Sequence, residues 1–187
     1  MGAFLGIFLA IIIIVIIVMV AVTVKQLGRQ SKYKPVLDEY IKNNINVTNV
    51  IKLKTVSRDY SLYVDEPGEQ LLFVDMQRCQ NRLFKFSEII GFELREDGRS
   101  TNGVGRAVAG GLMFGGTGAI VGAVTQKEMI DSVCIVLYLD DLANPEWIIK
   151  LNDCKLNKNS SEYRQISAFS NQFGAIIKLI ISRREKA

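Results

Sequence analysis

From Gly2 to Val24 the chain is apolar without a break, GAFLGIFLAIIIIVIIVMVAVTV, and its first charge is Lys25. As a helix rising ~1.5 Å per residue this run is about 34 Å long, enough to cross a hydrocarbon core of roughly 30 Å. A helix satisfies every backbone group of such a segment in lipid, so residues 1–24 read as a transmembrane anchor. A cleavable signal peptide would want a basic start, a shorter apolar stretch and a small-x-small cleavage site, and these fit poorly. Gln26 to Lys34 then turns polar and basic, which predicts a juxtamembrane linker over residues 25–34. Lys34 to Asn43 predicts a short helix, with Pro35 at its start and Val36, Leu37, Tyr40 and Ile41 at helical spacing.

Beyond Asn46 the period changes from helical to alternating. Ile51 to Val56 and Tyr60 to Val64 read as strands, and Asp65-Glu66-Pro67-Gly68 is a strong turn into a third, Gln70 to Met76. Arg82 to Phe86 and Ile90 to Arg95 follow, each with one apolar face. Asp131 to Asp140 is almost continuously apolar, which predicts a central strand. Asn144-Pro145 breaks the chain before Trp147 to Leu151, its hairpin partner. From Ser160 to Lys186 the period is helical again: Tyr163, Ile166, Phe169, Phe173, Ile176, Ile177 and Ile180 fall on one face, with Ser160 or Ser161 as the cap. Glu162 in the first turn and Arg183, Arg184 and Lys186 in the last suit the helix dipole. Strands followed by one terminal helix predict an α+β domain over residues 35–187, a small antiparallel barrel of pleckstrin-homology-like (PH-like) form with the helix closing one open end.

Charge fixes the expected orientation. Lys25, Arg29, Lys32 and Lys34 follow the apolar run before the first acid, Asp38, so the positive-inside rule puts the amino terminus outside and residues 25–187 in the cytoplasm. The same four side chains are candidate contacts to anionic lipid headgroups, although as a topology signal they need no further role. Cys79, Cys134 and Cys154 form no spacing motif and read as reduced core thiols.

Between two of the strands lies a second apolar segment, residues 103–126, GVGRAVAGGLMFGGTGAIVGAVTQ. Small residues recur every four positions at Ala107, Gly111, Gly115, Ala119 and Ala123, with Gly118 and Gly122 as a second pair, a spacing that lets helix backbones approach closely. Gly111, Gly115, Gly118 and Gly122 are the candidate packing or oligomerisation contacts. The segment reads as a tight helical hairpin projecting from the sheet, or as a zipper that assembles chains or enters the bilayer. A complete second span would export residues 127–187 and separate strands that need one another. A phosphate-cradling loop is excluded, because the third fingerprint glycine and any Gly-Lys-Ser/Thr are missing.

The residues offer little to catalysis. The chain has no histidine, the commonest general base and metal ligand. The cysteines pair at no metal-ligand spacing, the acidic pairs Glu96-Asp97 and Asp140-Asp141 read as solvated turn residues, and Ser57, Ser87 and Ser132 lie in no nucleophile elbow. Neither an enzyme, a metal nor a cofactor is expected. Nor is nucleic acid, because the basic residues are dispersed and the aromatic ones read as core. A phosphoinositide loop between the first two strands would fall near Asp65, Glu66 and Glu69, which repel phosphate, with Lys52, Lys54 and Arg58 as the nearby compensation.

Phe86 to Gly98, Gly105 to Gly111, Phe114-Gly115-Gly116, Gly118 to Gly122, Leu137 and Asp141-Leu142-x-x-Pro145 together resemble a family of bacterial proteins. Its common form is a PH-like sheet interrupted by this glycine-zipper-like insert, often followed by a short C-terminal oligomerisation domain of the SHOCT type. The resemblance covers roughly residues 60–180, and it implies a fold without a settled activity. This chain differs in adding the apolar N-terminal segment and in carrying no SHOCT-type domain up to Ala187. Two functions are therefore expected to compete. One is a membrane-tethered scaffold on the inner membrane that binds a protein partner or itself. The other is a membrane-inserting or assembling protein acting through residues 103–126.

Overall fold

The computed structural model describes residues 2–100 and 128–184. Its first element is a single helix, α1, Gly2–Asn44. The expected linker over residues 25–34 is therefore helical. Flanked by two segments that must be helical, it extends an existing nucleus at one hydrogen bond per residue. Pro35 lies inside this helix, where its missing N–H leaves one carbonyl, that of exposed Ser31, to water.

Four strands follow as a meander, β1 Asn49–Lys54, β2 Asp59–Asp65, β3 Gln70–Asp75 and β4 Gln80–Lys85, hydrogen-bonded in that order. The Asp65 carboxylate builds the β2–β3 turn by accepting from the backbone N–H of Gly68 at 2.8 Å and from Asn46 at 3.0 Å. A Cβ on Gly68 would lie 2.5 Å from Asp65 Oδ2, so the turn wants glycine. A 3-10 turn, Phe86–Glu88, leads into β5 Ile89–Glu96 and its short return strand β6 Arg99–Ser100. After residues 101–127 come β7 Met129–Ile130, β8 Val133–Leu139, β9 Glu146–Lys150 and β10 Leu156–Asn157. The second sheet runs β6-β5-β8-β9, with β8 central as its apolar sequence predicts, and β7 pairs β10.

The two four-stranded sheets face each other over one core. α2, Ser161–Arg184, is capped by Ser160 Oγ, which accepts from Tyr163 N at 3.1 Å. It packs on β1 and β5 and so closes one side of the sandwich. Ile166, Phe169, Phe173, Ile177 and Ile180 enter the core, as their spacing requires, and Ile181 joins them. At Gly174 the helix comes so close to β5 that a Cβ would sit 2.8 Å from the Phe92 ring.

β3 is buried on both faces. Leu71 and Phe73 belong to the main core, whereas Leu72 and Val74 point the other way into a second apolar cluster. The helix supplies the other half of that cluster: Leu37 and, just beyond the helix, Ile45, with Tyr33, Tyr40 and Ile41 packed around them. Thus the lower half of α1 lies across the outer face of the first sheet, and the apolar half continues away from it.

Candidate functional site

Three places in this fold can do something, and α1 sets the frame for all of them. At its C-terminal end Asn44 O accepts from Gln70 Nε2 at 3.3 Å, so this end lies beside the β2–β3 turn. Tyr33, eleven residues earlier in the helix, sits among Asp75, Cys79 and Asn81 at the β3–β4 turn. The helix therefore leaves the domain past the end that carries the β1–β2 and β3–β4 turns. Val24 and Tyr33 are about 14 Å apart along the axis, at ~1.5 Å per residue. In that interval Lys25, Arg29 and Lys32 are exposed, as is Lys34 just below. The β1–β2 turn presents Val56, 95% exposed, beside exposed Lys54.

The structure corrects the expectation for the loop between the first two strands. That loop is Thr55–Arg58, and the acidic Asp65–Glu69 segment belongs to the β2–β3 turn at the opposite end. Arg58 does not face solvent. It is buried, with Nε donating to Lys150 O at 3.0 Å and Nη2 paired to Asp153. Tyr60 donates to the same carbonyl at 2.8 Å, and burial pushes its hydroxyl up to about 12 despite the neighbouring guanidinium. These groups pin the end of β9 to the β1–β2 turn.

The second place is the base of the glycine-rich segment. Asp97 and Gly98 have φ of 50° and 74°, the left-handed pair of a two-residue hairpin turn between β5 and β6. The Asp97 carboxylate reaches across to the returning chain, where Oδ1 accepts from the backbone N–H of Asp131 at 2.7 Å and Ser132 at 3.0 Å. Asp97 N donates to Ser132 O at 2.9 Å. Asn152 braces the same strand, its Oδ1 accepting from Val133 N at 2.6 Å and its Nδ2 donating to Asp131 O at 3.1 Å. Beside them Glu96, nearly buried, accepts from Tyr163 Oη at 2.7 Å and pairs with Lys158 at 3.4 Å. Glu96-Asp97 is therefore a clamp and not a solvated turn. The Asp-Gly dipeptide between alternating residues is the sequence signal that reveals it. Gly111, Gly115, Gly118 and Gly122 lie outside the described residues, as do the rest of 103–126.

Asp97→Ala is expected to destabilise the fold by about 1–3 kcal/mol, because two backbone donors lose a charged acceptor. Tryptic cleavage at Arg99 should quicken. A melting curve and a digestion time course on the full chain check it; unchanged cleavage means the clamp does not hold the base.

The third place is the side of the sandwich that α2 leaves open, between edge strands β4 and β9. A groove of about 600 Å³ runs there over Tyr60, Phe73 and Trp147, with Asp75, Arg78, Arg82 and Lys150 on its walls. The Trp147 ring meets Phe73 and Phe84 with centroids 4.9 Å away in each case. Arg82 lies over both Phe84, at 4.9 Å, and Trp147, at 5.5 Å.

The cysteines stay apart. Cys79 is in the β3–β4 turn, Cys134 is on β8 with its thiol pushed up by burial, and Cys154 is exposed. The reading of all three as core thiols fails, since none is fully buried. Among the described residues no cluster of carboxylate, thiol or imidazole groups is arranged to hold a metal ion.

Two facing antiparallel sheets closed on one side by a C-terminal helix define a PH-like domain. Residues 39–153 match the family model described as a glycine zipper containing PH domain, so the chain belongs to that family. No curated protein and no solved structure matches it. Before this domain, one helix is long and apolar enough to cross a membrane.

Proposed function

We propose that the chain is a non-enzymatic binding module fixed to the cytoplasmic face of a bacterial inner membrane, with its amino terminus outside and residues 25–187 inside. The observation that carries this reading is the continuity of α1: the helix that is apolar over residues 2–24 is the same one that docks on β2 and β3 through Tyr33, Leu37, Tyr40 and Ile41. Such a domain does not swing on a tether. It is held with the β1–β2 and β3–β4 turns toward the bilayer and the β2–β3 turn away. Lys25, Arg29, Lys32, Lys34 and Lys54 then meet anionic headgroups, each contributing about 1 kcal/mol. The groove between β4 and β9 and the exposed part of α2 remain for a protein partner.

Protease added to intact spheroplasts should leave residues 25–187 whole, and loss of residues 127–187 from the outside would instead establish two spans. In reconstituted chain, a tryptophan at Val56 should be quenched by brominated lipid, while one at Glu66, on the opposite turn, should not. Equal quenching at the two sites overturns the fixed orientation.

A second reading is favoured by the clamp at Asp97. The described residues on either side of the glycine-rich segment are joined through Asp97, Asp131 and Ser132, so the segment can act as a projecting arm, and the family's glycine zipper suggests assembly of chains or entry into the bilayer. Gly115→Leu should then abolish crosslinked oligomers, whereas Thr117→Ala should have little effect. If bulky residues at Gly111, Gly115, Gly118 and Gly122 all leave assembly and melting unchanged, the arm is a permissive loop.

A further inference from the structure

From the groove between β4 and β9 we infer that the partner of this domain is an acidic protein segment bound in extended form, adding as a strand to an open edge of the sandwich. This deepens the binding-module reading and rests on it. Three successive residues of β4, Gln80, Asn81 and Arg82, and four of β9, Trp147 to Lys150, line the groove. Successive residues of a strand point to opposite faces, so a groove lined by all of them runs along the strand edges. Among the described residues β4 ladders with β3 alone and β9 with β8 alone, so both are edges, although at the end of β9 the Lys150 carbonyl already accepts from Arg58 and Tyr60. Facing sheets stand roughly 10 Å apart, about twice the ~4.8 Å between paired strands.

Charge selects the segment. Asp75 is engaged by the backbone N–H of Arg78 at 3.0 Å, and the Arg78 side chain lies 3.9 Å from it. Arg82 and Lys150 meet no carboxylate at ion-pair distance among the described residues; the nearby acids are Asp141, exposed and close enough to feel Arg82, and Glu146, exposed on the far end of β9. Arg82 is the important group. It stands on the core-facing side of an edge strand, opposite Phe73 in register, with its guanidinium laid on two rings. An inward charge on an edge deters a neutral strand. The same charge, already oriented by the rings and free to bond a carboxylate in bidentate fashion, admits an acidic one. The uncharged run from Ala107 to Gln126 does not supply such a residue; the inferred occupant is a segment of another protein.

The test uses the full chain in phosphatidylcholine nanodiscs, panned against a displayed library of random twelve-residue peptides, with hydrogen exchange on the best binders. The parent should enrich peptides with alternating acidic residues that slow exchange in residues 80–85 and 146–150. Arg82→Glu, and independently the surface change Lys150→Glu, should weaken those peptides at least about tenfold. Peptides without acidic residues, or binders that protect other surfaces, overturn the groove and leave the binding-module reading standing. Recovery of no binder overturns both. Protection of the same strands by phosphatidylglycerol nanodiscs without peptide shows a lipid surface as the occupant and overturns the inference.

Discussion

Phe173→Ala is expected to lower the stability of the domain by about 3–5 kcal/mol, a large share of the roughly 5–15 kcal/mol that holds a native domain together. Phe173 is fully buried, and its ring lies 6.0 Å from that of Phe169 in the cluster shared by both sheets and α2. The size of the effect follows from the architecture. α2 fills the side of the sandwich between β1 and β5, and the ladders keep each sheet's backbone rigid, so little can collapse into the vacated space. Truncation therefore loses both the transfer free energy of the ring and the contacts of the cavity wall. For a domain of this size the melting temperature should fall by roughly 6–20 °C. Leu179→Ala, on the half-exposed face of the same helix, should change it by no more than about 2 °C. If the two variants melt together, α2 is a surface attachment and the core lies within the sheets alone.

That helix was legible in the sequence because its apolar residues repeat at three and four and enter one core. The β2–β3 turn was legible because Asp65 and Gly68 are the residue types its geometry demands. Other features depend on contacts that no local pattern announces. Arg82 and Trp147 read as an ordinary edge residue and a core aromatic, and they form a groove only because the sandwich closes on one side and not the other. The β1–β2 loop was misplaced because the acidic Asp65–Glu69 turn joins the second strand to the third, not the first to the second, and successive turns of a meander lie at opposite ends of the sheet. Residues 25–34 looked like a linker because solvated lysines and glutamines are equally at home on an exposed helix. The better signal was the stripe Tyr33, Leu37, Tyr40 and Ile41, which starts inside that segment and continues beyond it. Its counterpart was the run Leu71-Leu72-Phe73-Val74, too apolar for a strand with one wet face.

The docking of that stripe supports the second large prediction, Leu37→Asp. Leu37 is 3% exposed at the centre of the small cluster formed with Ile45, Leu72 and Val74. A carboxylate there meets no cation, since its neighbours are Tyr33, Tyr40, Ile41, Tyr63 and Met76, and burying an unpaired charge costs more than the contact is worth. The helix should therefore leave the sheet instead of accommodating the charge. The main core, which shares β3 but uses its other face, should survive. Undocking by about 3 kcal/mol corresponds to roughly a 100-fold loss of hydrogen-exchange protection over residues 33–45, with new tryptic cleavage at Lys42. Leu72 and Val74 become exposed, yet β5, β8 and α2 should keep the protection of the parent. The consequence for function is sharper than the loss of stability. In the orientation proposed above, freeing the helix releases the end of the domain held toward the bilayer, and a tryptophan at Val56 should lose its quenching by brominated lipid while the apolar segment of α1 is unaltered. Retained quenching together with lost protection at residues 33–45 would mean that the headgroups, and not α1, hold the domain in place.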